Sequence, residues 1–288
     1  MRLDISPPAN AYEVVTKRWG LQNPKQIKKN YRSTVYFVES PQGPAKLKIY
    51  TQIGYRGERP AISYTKGVDS KFIAQIYQSD FYRAAVLSEW VEGPPVSETW
   101  RKGDYEKATR LACEVIHGLT ESSRVSFPFA YRRKTVNRYR SLQGELKRSQ
   151  SSEQRALVVE AMGILERFLM LRSSERVIHG DLHYDNIIQT THGARAIDPR
   201  GVNAHPITNC SSLFFDTATD VDPPVLGEVF SDQVKVITEY LGYDRDLLMQ
   251  YALFTWLWRT IKRDENDHAF REKRLREVDT IRGVIAQT

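Results

Sequence analysis

The sequence predicts an α+β protein with two lobes, and three observations lead to this prediction. Short β-prone runs dominate the N-terminal third, amphipathic helical patterns follow Gly93-Pro94-Pro95, and a polar motif with a hairpin pattern lies within the helical part. We therefore expect residues 1–92 to form a small antiparallel sheet with one helix, residues 93–96 to form the exit from a hinge, and residues 97–288 to form a larger, mainly helical lobe.

The small lobe is predicted from runs rich in β-branched and aromatic residues, each bounded by Gly, Pro, Asn or charged residues. A helix fits between the third and fourth runs, where we expect it to start near Pro60, because proline is tolerated in the first turn of a helix. The runs are residues 26–29, 35–38, 45–50, 73–77 and 84–88.

The large lobe is predicted from three helical stretches. Apolar residues recur at helical spacing in residues 105–122, and Ser151 with Gln154 matches a capping box that opens a helix reaching Leu171. Residues 247–261 are rich in Leu, Phe and Trp, but this stretch is too short to cross a membrane, so we expect it in the core.

Composition excludes several classes of protein. With 288 residues and 41% apolar content, the chain is long enough for a packed core. Cys113 and Cys210 lie far apart, and no cysteine or histidine has the spacing of a zinc site or a disulfide framework. The N-terminus lacks the apolar region of a signal peptide, so we expect a cytoplasmic protein with no membrane segment.

The most informative motif is His-Gly-Asp-Leu-His-Tyr-Asp-Asn at residues 179–186, which is followed by Ile197-Asp198-Pro199. Two short strands with a turn between them separate the two parts, so Asn186 and Asp198 should face one another across the ends of a hairpin. An amide oxygen and a carboxylate suit Mg²⁺. Asp181 is then free to accept the proton of an attacking hydroxyl, as phosphoryl transfer requires.

Each part of this motif also has a simpler interpretation. His-Gly-Asp alone could be a capped turn, and Ile-Asp-Pro alone is an ordinary end of a strand. The ordered set with its hairpin is far more specific than its parts.

The pattern H-G-D-x-H-x-x-N followed by I-D resembles the signature of the aminoglycoside phosphotransferase and choline kinase superfamily. The resemblance is strongest over residues 177–200, with weaker matches over most of the chain. It implies a protein-kinase-like fold and transfer of the γ-phosphoryl group of ATP or GTP to a hydroxyl of a small molecule. By the same resemblance, Asp181 is the catalytic base, and Asn186 and Asp198 hold Mg²⁺.

Two departures from protein kinases favour a small-molecule acceptor. His183 stands where a protein kinase usually has Lys, and Pro199-Arg200 follow Asp198 where a protein kinase has Phe-Gly. A protein kinase or a kinase-like module that binds nucleotide without catalysis remains the alternative, but the intact Asp181, Asn186 and Asp198 argue against a module that has lost catalysis.

The resemblance also implies a nucleotide site in the small lobe. Lys48 resembles the strand lysine that binds the phosphates, and Lys46 is its rival because it alternates onto the same face. We expect Glu58 to fix this lysine, with Asp69 as the second choice.

Two further segments are candidates for nucleotide contacts. Residues 30–34 should form the loop over the phosphates; the loop has no glycine, but its amides and the hydroxyls of Ser33 and Thr34 could bind phosphate. Residues 87–93 resemble the linker that reads adenine through its main chain, which would use the Ser88 carbonyl and the Trp90 N–H.

The acceptor site is predicted less closely. Eight acids in residues 214–246 would suit an amine, but surface solubility explains the same acids without any ligand, and we favour that explanation. We assign His183 and Asp216 to this side, and Asp216 also resembles a family Asp that braces the catalytic loop. We expect an aminoglycoside-like, sugar-like or amino-alcohol acceptor. The acids are Asp216, Asp220, Asp222, Glu228, Asp232, Glu239, Asp244 and Asp246.

The formal charge of +7 raises the question of nucleic acid. Residues 131–140 form a basic run with interleaved tyrosines, which could follow phosphates, form a solvated helix face, or attract an anionic ligand to the cleft. We disfavour nucleic acid and expect this run to form a solvated face of a helix or loop.

Overall fold

The computed structural model describes residues 8, 10–69, 71–124, 134–149, 151–216, 223–262 and 268–287, and it has an α+β fold. The strands are β1 (Gln22–Lys29), β2 (Ser33–Ser40), β3 (Gly43–Tyr50), β4 (Ile76–Asp80), β5 (Ala85–Glu89), β6 (Arg176–Ile178), β7 (Ile187–Thr190), β8 (Gly193–Ala196) and β9 (Val202–Ala204). The helices are α1 (Ala11–Arg18), α2 (Gln52–Lys66), α3 (Val96–Arg101), α4 (Tyr105–Ser122), α5 (Lys134–Arg148), α6 (Ser152–Met170), α7 (Ser211–Asp216), α8 (Pro223–Leu241), α9 (Arg245–Ile261) and α10 (His268–Ala286).

The small lobe is a five-stranded antiparallel sheet with the order β1-β2-β3-β5-β4, as the β-prone runs predict. Every residue of β1 is exposed, and Pro24 is tolerated there because an edge strand need not donate every N–H group. Residues 73–77 were expected as the fourth strand, but β4 begins at Ile76. The reason is that Ile73 bridges to Ala196 of β8 instead.

The helix α2 corrects the expected role of Pro60. The helix begins at Gln52, because the Thr51 side chain caps it by accepting a hydrogen bond from the Gly54 N–H at 3.0 Å. Pro60 therefore lies inside the helix and not in its first turn. As a consequence, Glu58 lies within a regular helix that faces the sheet.

The core of the large lobe lies among α4, α6, α8 and α9. The predicted stretch of residues 105–122 coincides with α4, and the hydroxyl of Ser151 caps α6 by accepting from the Gln154 N–H at 3.1 Å. Aromatic side chains of α9, among them Trp256, are fully buried, as expected for a core helix. None of the helices among the described residues is both long enough and apolar enough to span a membrane.

The hairpin of β7 and β8 positions the predicted motif. Its register pairs Ile187 with Ala196 and Thr190 with Gly193. The Ile197 N–H donates to the Asn186 carbonyl at 2.9 Å, so the residues at the two ends of the hairpin are adjacent. The separate pair β6 and β9 brings the residues before Gly180 and those after Gly201 together.

Candidate active site

The two lobes meet where Gly93 crosses the hairpin of β7 and β8. Gly93 has a φ of 137°, and a Cβ atom on it would lie 1.8 Å from the Gln189 carbonyl oxygen. The Gln189 N–H in turn donates to the Pro94 carbonyl at 2.9 Å. Only glycine fits this contact, so the hinge backbone can lie directly against β7.

An ion pair provides a second connection between the lobes. Arg195 of β8 donates to both carboxylate oxygens of Glu89, at 2.5 and 2.6 Å, and to the Ile73 carbonyl at 2.9 Å. Burial raises the pKa of Glu89, but Arg195 offsets this effect and the pKa is lowered overall. The bidentate geometry fixes the sheet against the hairpin.

The His179 side chain connects Ile197, which precedes Asp198, with the backbone of Asp181. It is completely buried, its Nε2 donates to the Ile197 carbonyl at 3.0 Å, and its Nδ1 accepts from the Asp181 N–H at 3.3 Å. Burial lowers the pKa of His179 to about 4, which keeps the ring neutral. The neutral ring can therefore hold the residues before Asp198 and the amide of Asp181 in one arrangement.

Asp181 is flanked by a cation and an amide. Its Oδ2 lies 2.8 Å from an Arg200 guanidinium nitrogen, and its main-chain carbonyl accepts from Asn186 Nδ2 at 2.9 Å. The preceding Gly180 has a φ of 80°, and a Cβ atom there would lie 2.4 Å from Val202. This glycine allows the turn that presents the Asp181 side chain.

Asp198 pairs with two lysines of the sheet. Its backbone is left-handed, with a φ of 54°. Its Oδ1 accepts from Lys46 Nζ at 2.7 Å and from Lys48 Nζ at 2.6 Å. Burial raises the pKa of Asp198, but the two lysines outweigh this effect and hold the pKa well below its usual value.

A cavity lies above Asp198, between the sheet and α2. Its lining includes Lys46, Lys48, Glu58 and Ser88. The Tyr50 hydroxyl donates to Glu58. Burial is the main cause that raises the pKa of this phenol well above its usual value, and the negative charge of Glu58 raises it further. The pairing of Glu58 with Lys48 stays a prediction. The remaining lining residues are Tyr50, Ala61, Ile62, Thr65, Ala74, Ile76, Val86, Asp198 and Pro199.

The structure brings together most, but not all, of the predicted nucleotide residues. Both strand lysines reach Asp198, so Lys46 is as well placed as Lys48. Asp69, the second choice for a carboxylate, is exposed in a turn, where it accepts from the Lys71 N–H at 2.9 Å. It does not line the cavity, so it is not a partner of the lysines in this structure.

The loop at residues 30–34 differs from a phosphate cradle. The Asn30 side chain accepts from the Arg32 and Ser33 amides at 2.8 and 2.9 Å, so these two donors are already used. Ser33 and Thr34 do not line the cavity. An Asx turn closed by Asn30 therefore replaces the open amides that the loop was expected to offer.

The amide of Trp90 also has another partner. It donates to the Pro44 carbonyl at 3.2 Å, because the pairing of β3 with β5 continues past Glu89. Ser88 lines the cavity, and the contact of its carbonyl with a base stays a prediction. In this structure the Trp90 N–H is therefore engaged within the sheet and does not face the cavity.

The residues assigned to the acceptor lie in different places. His183 contributes its carbonyl to the Asn186 N–H at 2.8 Å, and its ring lies 3.8 Å from Asp185. Asp216 ends α7, and its side chain lies outside the described residues, as do Asp220 and Asp222. Asp244 caps α9 by accepting from the Leu247 N–H at 2.7 Å, which is a structural role.

Comparison with known proteins decides the family. The family model described as aminoglycoside/hydroxyurea antibiotic resistance kinase matches residues 18–265. The chain belongs to this family. It is therefore a member of a family of small-molecule phosphotransferases, and the predicted superfamily is confirmed. A search of curated proteins gave no match.

Solved structures confirm that this family member has a protein-kinase-like fold. ADP-bound aminoglycoside phosphotransferase APH(2'')-Ib has a TM-score of 0.63 at 12% identity, with 95% of this chain and 99% of that chain covered. Choline kinase LicA from Streptococcus pneumoniae has a TM-score of 0.60 at 13% identity, with 94% and 97% covered. A thermostable mutant of APH(4)-Ia, in ternary complex with ADP and hygromycin B, has a TM-score of 0.62 at 10% identity, with 96% and 98% covered.

Sequence reasoning missed three residues that contact the predicted motif in the structure. His179 was quoted within the motif, but it was given no role. Arg200 was noted only as a departure from protein kinases, although its position two residues after Asp198 could have indicated its nearness to the catalytic loop. Lys134 belongs to the basic run, and nothing in its sequence context indicates that it reaches the Gly180 carbonyl, at 3.4 Å.

Proposed function

We propose that the protein transfers the γ-phosphoryl group of Mg-ATP or Mg-GTP to a hydroxyl of a small molecule, with Asp181 as the catalytic base. One observation carries the proposal. Asp181 and Asp198 flank one hairpin beneath two strand lysines, so a base and a phosphate-binding group lie on either side of a single cleft.

Asp181 is suited to accept the proton of the attacking hydroxyl. Its carboxylate is partly exposed, and Arg200 supplies a counter-charge at 2.8 Å. His179 and Asn186 bind its main chain, so the carboxylate starts from a fixed backbone. Such positioning supports general base catalysis, which contributes roughly 10²–10⁴-fold to a rate.

Asn186 and Asp198 fit a magnesium ion. The Asn186 Nδ2 donates to the Asp181 carbonyl, so the amide oxygen is the atom left for a cation. Asp198 offers a carboxylate that two lysines keep ionised. Both are the hard oxygen donors that Mg²⁺ takes, and the bound ion would neutralise charge on the transferring phosphate.

The two strand lysines could also bind the phosphates of the nucleotide. With a metal on Asp198, Lys46 and Lys48 would be free to bind the phosphates of a nucleotide in the cavity that they line. Ser88 is the remaining candidate for the base edge. Mg²⁺ and ATP or GTP are thus the cofactors that this site would use.

The acceptor is proposed to be an aminoglycoside-like, sugar-like or amino-alcohol compound. The structurally similar proteins include aminoglycoside phosphotransferases and a choline kinase, which supports this range. No feature of the described residues favours a protein substrate over these compounds.

The experiment compares two variants by nucleotide binding and by turnover. Asp181→Asn should lower kcat at least 100-fold with any acceptor that is phosphorylated, while calorimetry finds Mg-ATP binding nearly unchanged. Asp198→Asn should weaken Mg-nucleotide binding itself. Asp279→Asn, an exposed position on α10, serves as the control and should behave as wild type.

Two results would contradict the proposal. Full turnover by Asp181→Asn would refute the assignment of Asp181 as the catalytic base. Failure of the wild-type protein to bind either Mg-ATP or Mg-GTP would refute the proposed kinase function.

A further inference from the structure

A small cavity lies between α4 and α8, and among the described residues it shares no lining residue with the cavity above Asp198. Its volume is about 170 Å³, which is close to the roughly 150 Å³ of a cavity that holds benzene. It is therefore a separate space, and it is large enough for a molecule of a few heavy atoms.

Two side chains that line this cavity bind Tyr184, which belongs to the motif at residues 179–186. The Thr109 hydroxyl lies 3.1 Å from the Tyr184 hydroxyl, and Gln233 Nε2 donates to the same hydroxyl at 3.0 Å. Tyr184 is fully buried, and its ring stacks on that of Trp100 with centroids 5.1 Å apart. The cavity is thus one hydrogen bond away from the short segment that carries Asn186.

The directions of these hydrogen bonds orient the Gln233 amide. Thr109 Oγ1 donates its single proton to the Tyr105 carbonyl at 2.8 Å, so the Tyr184 hydroxyl donates to Thr109 and accepts from Gln233 Nε2. Because the nitrogen end of the amide is at Tyr184, the carbonyl oxygen Oε1 is the end available to a ligand in the cavity.

This oxygen calls for a hydrogen-bond donor. Gln233 is only 2% exposed, and no donor in the described part of the chain bonds to its Oε1. A buried amide oxygen without a donor costs free energy, which a donor on a bound molecule would offset. The cavity therefore presents an acceptor to any ligand that enters it.

The charged side chains around the cavity leave an excess of negative charge. On α4, Arg110 pairs with Glu106 at 2.8 Å, so these two charges offset each other. On α8, two carboxylates and one ammonium group line the cavity, and no ion pair joins any of them to a described residue; they belong to Asp232, Glu239 and Lys235. A ligand with one positive charge balances this set.

We propose that the cavity binds the ammonium group of a small primary amine through Gln233 Oε1 and the Asp232 carboxylate, and that the bound amine acts on the motif through Tyr184. An ammonium group supplies the donors that both oxygens accept, and hydrogen bonds to a charged donor are the stronger ones. The site is distinct from that of the phosphoryl acceptor, because the proposed base Asp181 does not line it.

The effect on the motif follows from the two ends of the Gln233 amide. A cation at Oε1 polarises the amide, so its Nε2–H group donates more strongly to Tyr184. The stronger bond favours the arrangement of residues 184–186 described above, in which Asn186 is held in place. This part of the inference rests on the proposed function, because it needs Asn186 to bind the metal of the Mg-nucleotide.

Binding is tested with n-propylammonium, which has no hydroxyl and cannot be a phosphoryl acceptor. It is titrated into the ¹⁵N-labelled full-length protein without nucleotide, and the Kd is measured by NMR. Wild type should bind it saturably, and 1-propanol, which has nearly the same size but no charge, should bind at least about 10-fold more weakly. Asp232→Asn should weaken the binding of n-propylammonium about 5-fold, because one charged acceptor is lost.

Glu121→Gln is the matched control, because Glu121 is an exposed acid on α4 that does not line this cavity. It removes the same charge and should bind n-propylammonium as wild type does. Absence of saturable binding, equal affinity for 1-propanol, or equal Kd values in the Asp232 and Glu121 variants would overturn the proposed amine site.

The action on the motif is tested by calorimetry with Mg-ADP. Saturating n-propylammonium should raise the affinity for Mg-ADP about 5-fold over sodium chloride at the same ionic strength, at the lower end of typical coupling between sites. Tyr184→Phe lacks the hydroxyl and should abolish this rise while still binding the amine. Unchanged Mg-ADP affinity in the amine-bound wild type overturns the coupling. Failure to bind Mg-ADP even without amine would instead refute the proposed function, so the two failures are distinguishable.

Discussion

Acidification should destabilise this protein through His179. The ring is buried, it donates to the Ile197 carbonyl, and its Nδ1 accepts the Asp181 N–H. Protonation would place a second N–H group against that amide and a charge in the core. The perturbation we consider is therefore a fall in pH from 7 to 4.5.

The magnitude follows from the pKa of His179. Burial lowers the pKa from 6.5 in the unfolded chain to about 4 in the folded one. Between these values the unfolded state binds more protons, so stability is lost as the pH falls. The full effect is about 3.4 kcal/mol at about 1.4 kcal/mol per tenfold change in proton affinity, and about 2.4 kcal/mol of it is lost between pH 7 and pH 4.5.

Urea unfolding at the two pH values measures this loss, and two variants isolate it. His179→Gln keeps a donor and an acceptor but cannot titrate, so its free energy of unfolding should fall by about 2.4 kcal/mol less than that of wild type. His192→Gln, at an exposed histidine in the turn of the hairpin, should fall as much as wild type. Carboxylates titrate equally in all three proteins. An equal fall in wild type and His179→Gln would refute the reasoning.

Two further predictions concern the connection between the lobes. Arg195→Met should lower the free energy of unfolding by about 2–3 kcal/mol, because it leaves the partly buried Glu89 without its bidentate partner. Adding Glu89→Met should restore part of this free energy in a double-mutant cycle measured by urea unfolding, and additive losses would contradict the prediction. Gly93→Ala should cost at least about 2 kcal/mol in urea unfolding, more than Gly43→Ala, because both glycines have positive φ but only Gly93 lies against a carbonyl; equal losses would exclude the close contact.

The features of the site that could be predicted from the sequence are those that depend on local patterns. The adjacency of Asn186 and Ile197 follows from a hairpin four residues long on each side, and the shared face of Lys46 and Lys48 follows from strand alternation. The predicted start of α2 was wrong, because Pro60 was placed in the first turn of the helix and the N-cap at Thr51 was overlooked. Both successes depend on short-range geometry, in which the backbone fixes the outcome.

Contacts between distant segments could not be predicted in the same way. Arg195 and Glu89 lie 106 residues apart, and Lys134 lies 46 residues from Gly180. No periodicity connects such residues, because their contact depends on how whole elements pack. Likewise, the engaged amide of Trp90 depends on how far β3 and β5 remain paired.

The contact of Asp198 with both Lys46 and Lys48 bears on how metal binding and nucleotide binding affect each other. A partly exposed carboxylate without partners would still lose some hydration, and here two ammonium groups offset that loss through one oxygen, Oδ1. If Asp198 holds a cation as proposed, that ion would take over this role, and at least one lysine would lose its partner. The phosphates of a nucleotide in the cavity that the lysines line would then offer a replacement. Metal and nucleotide binding should therefore be mutually strengthening, since each removes the cost that the other creates.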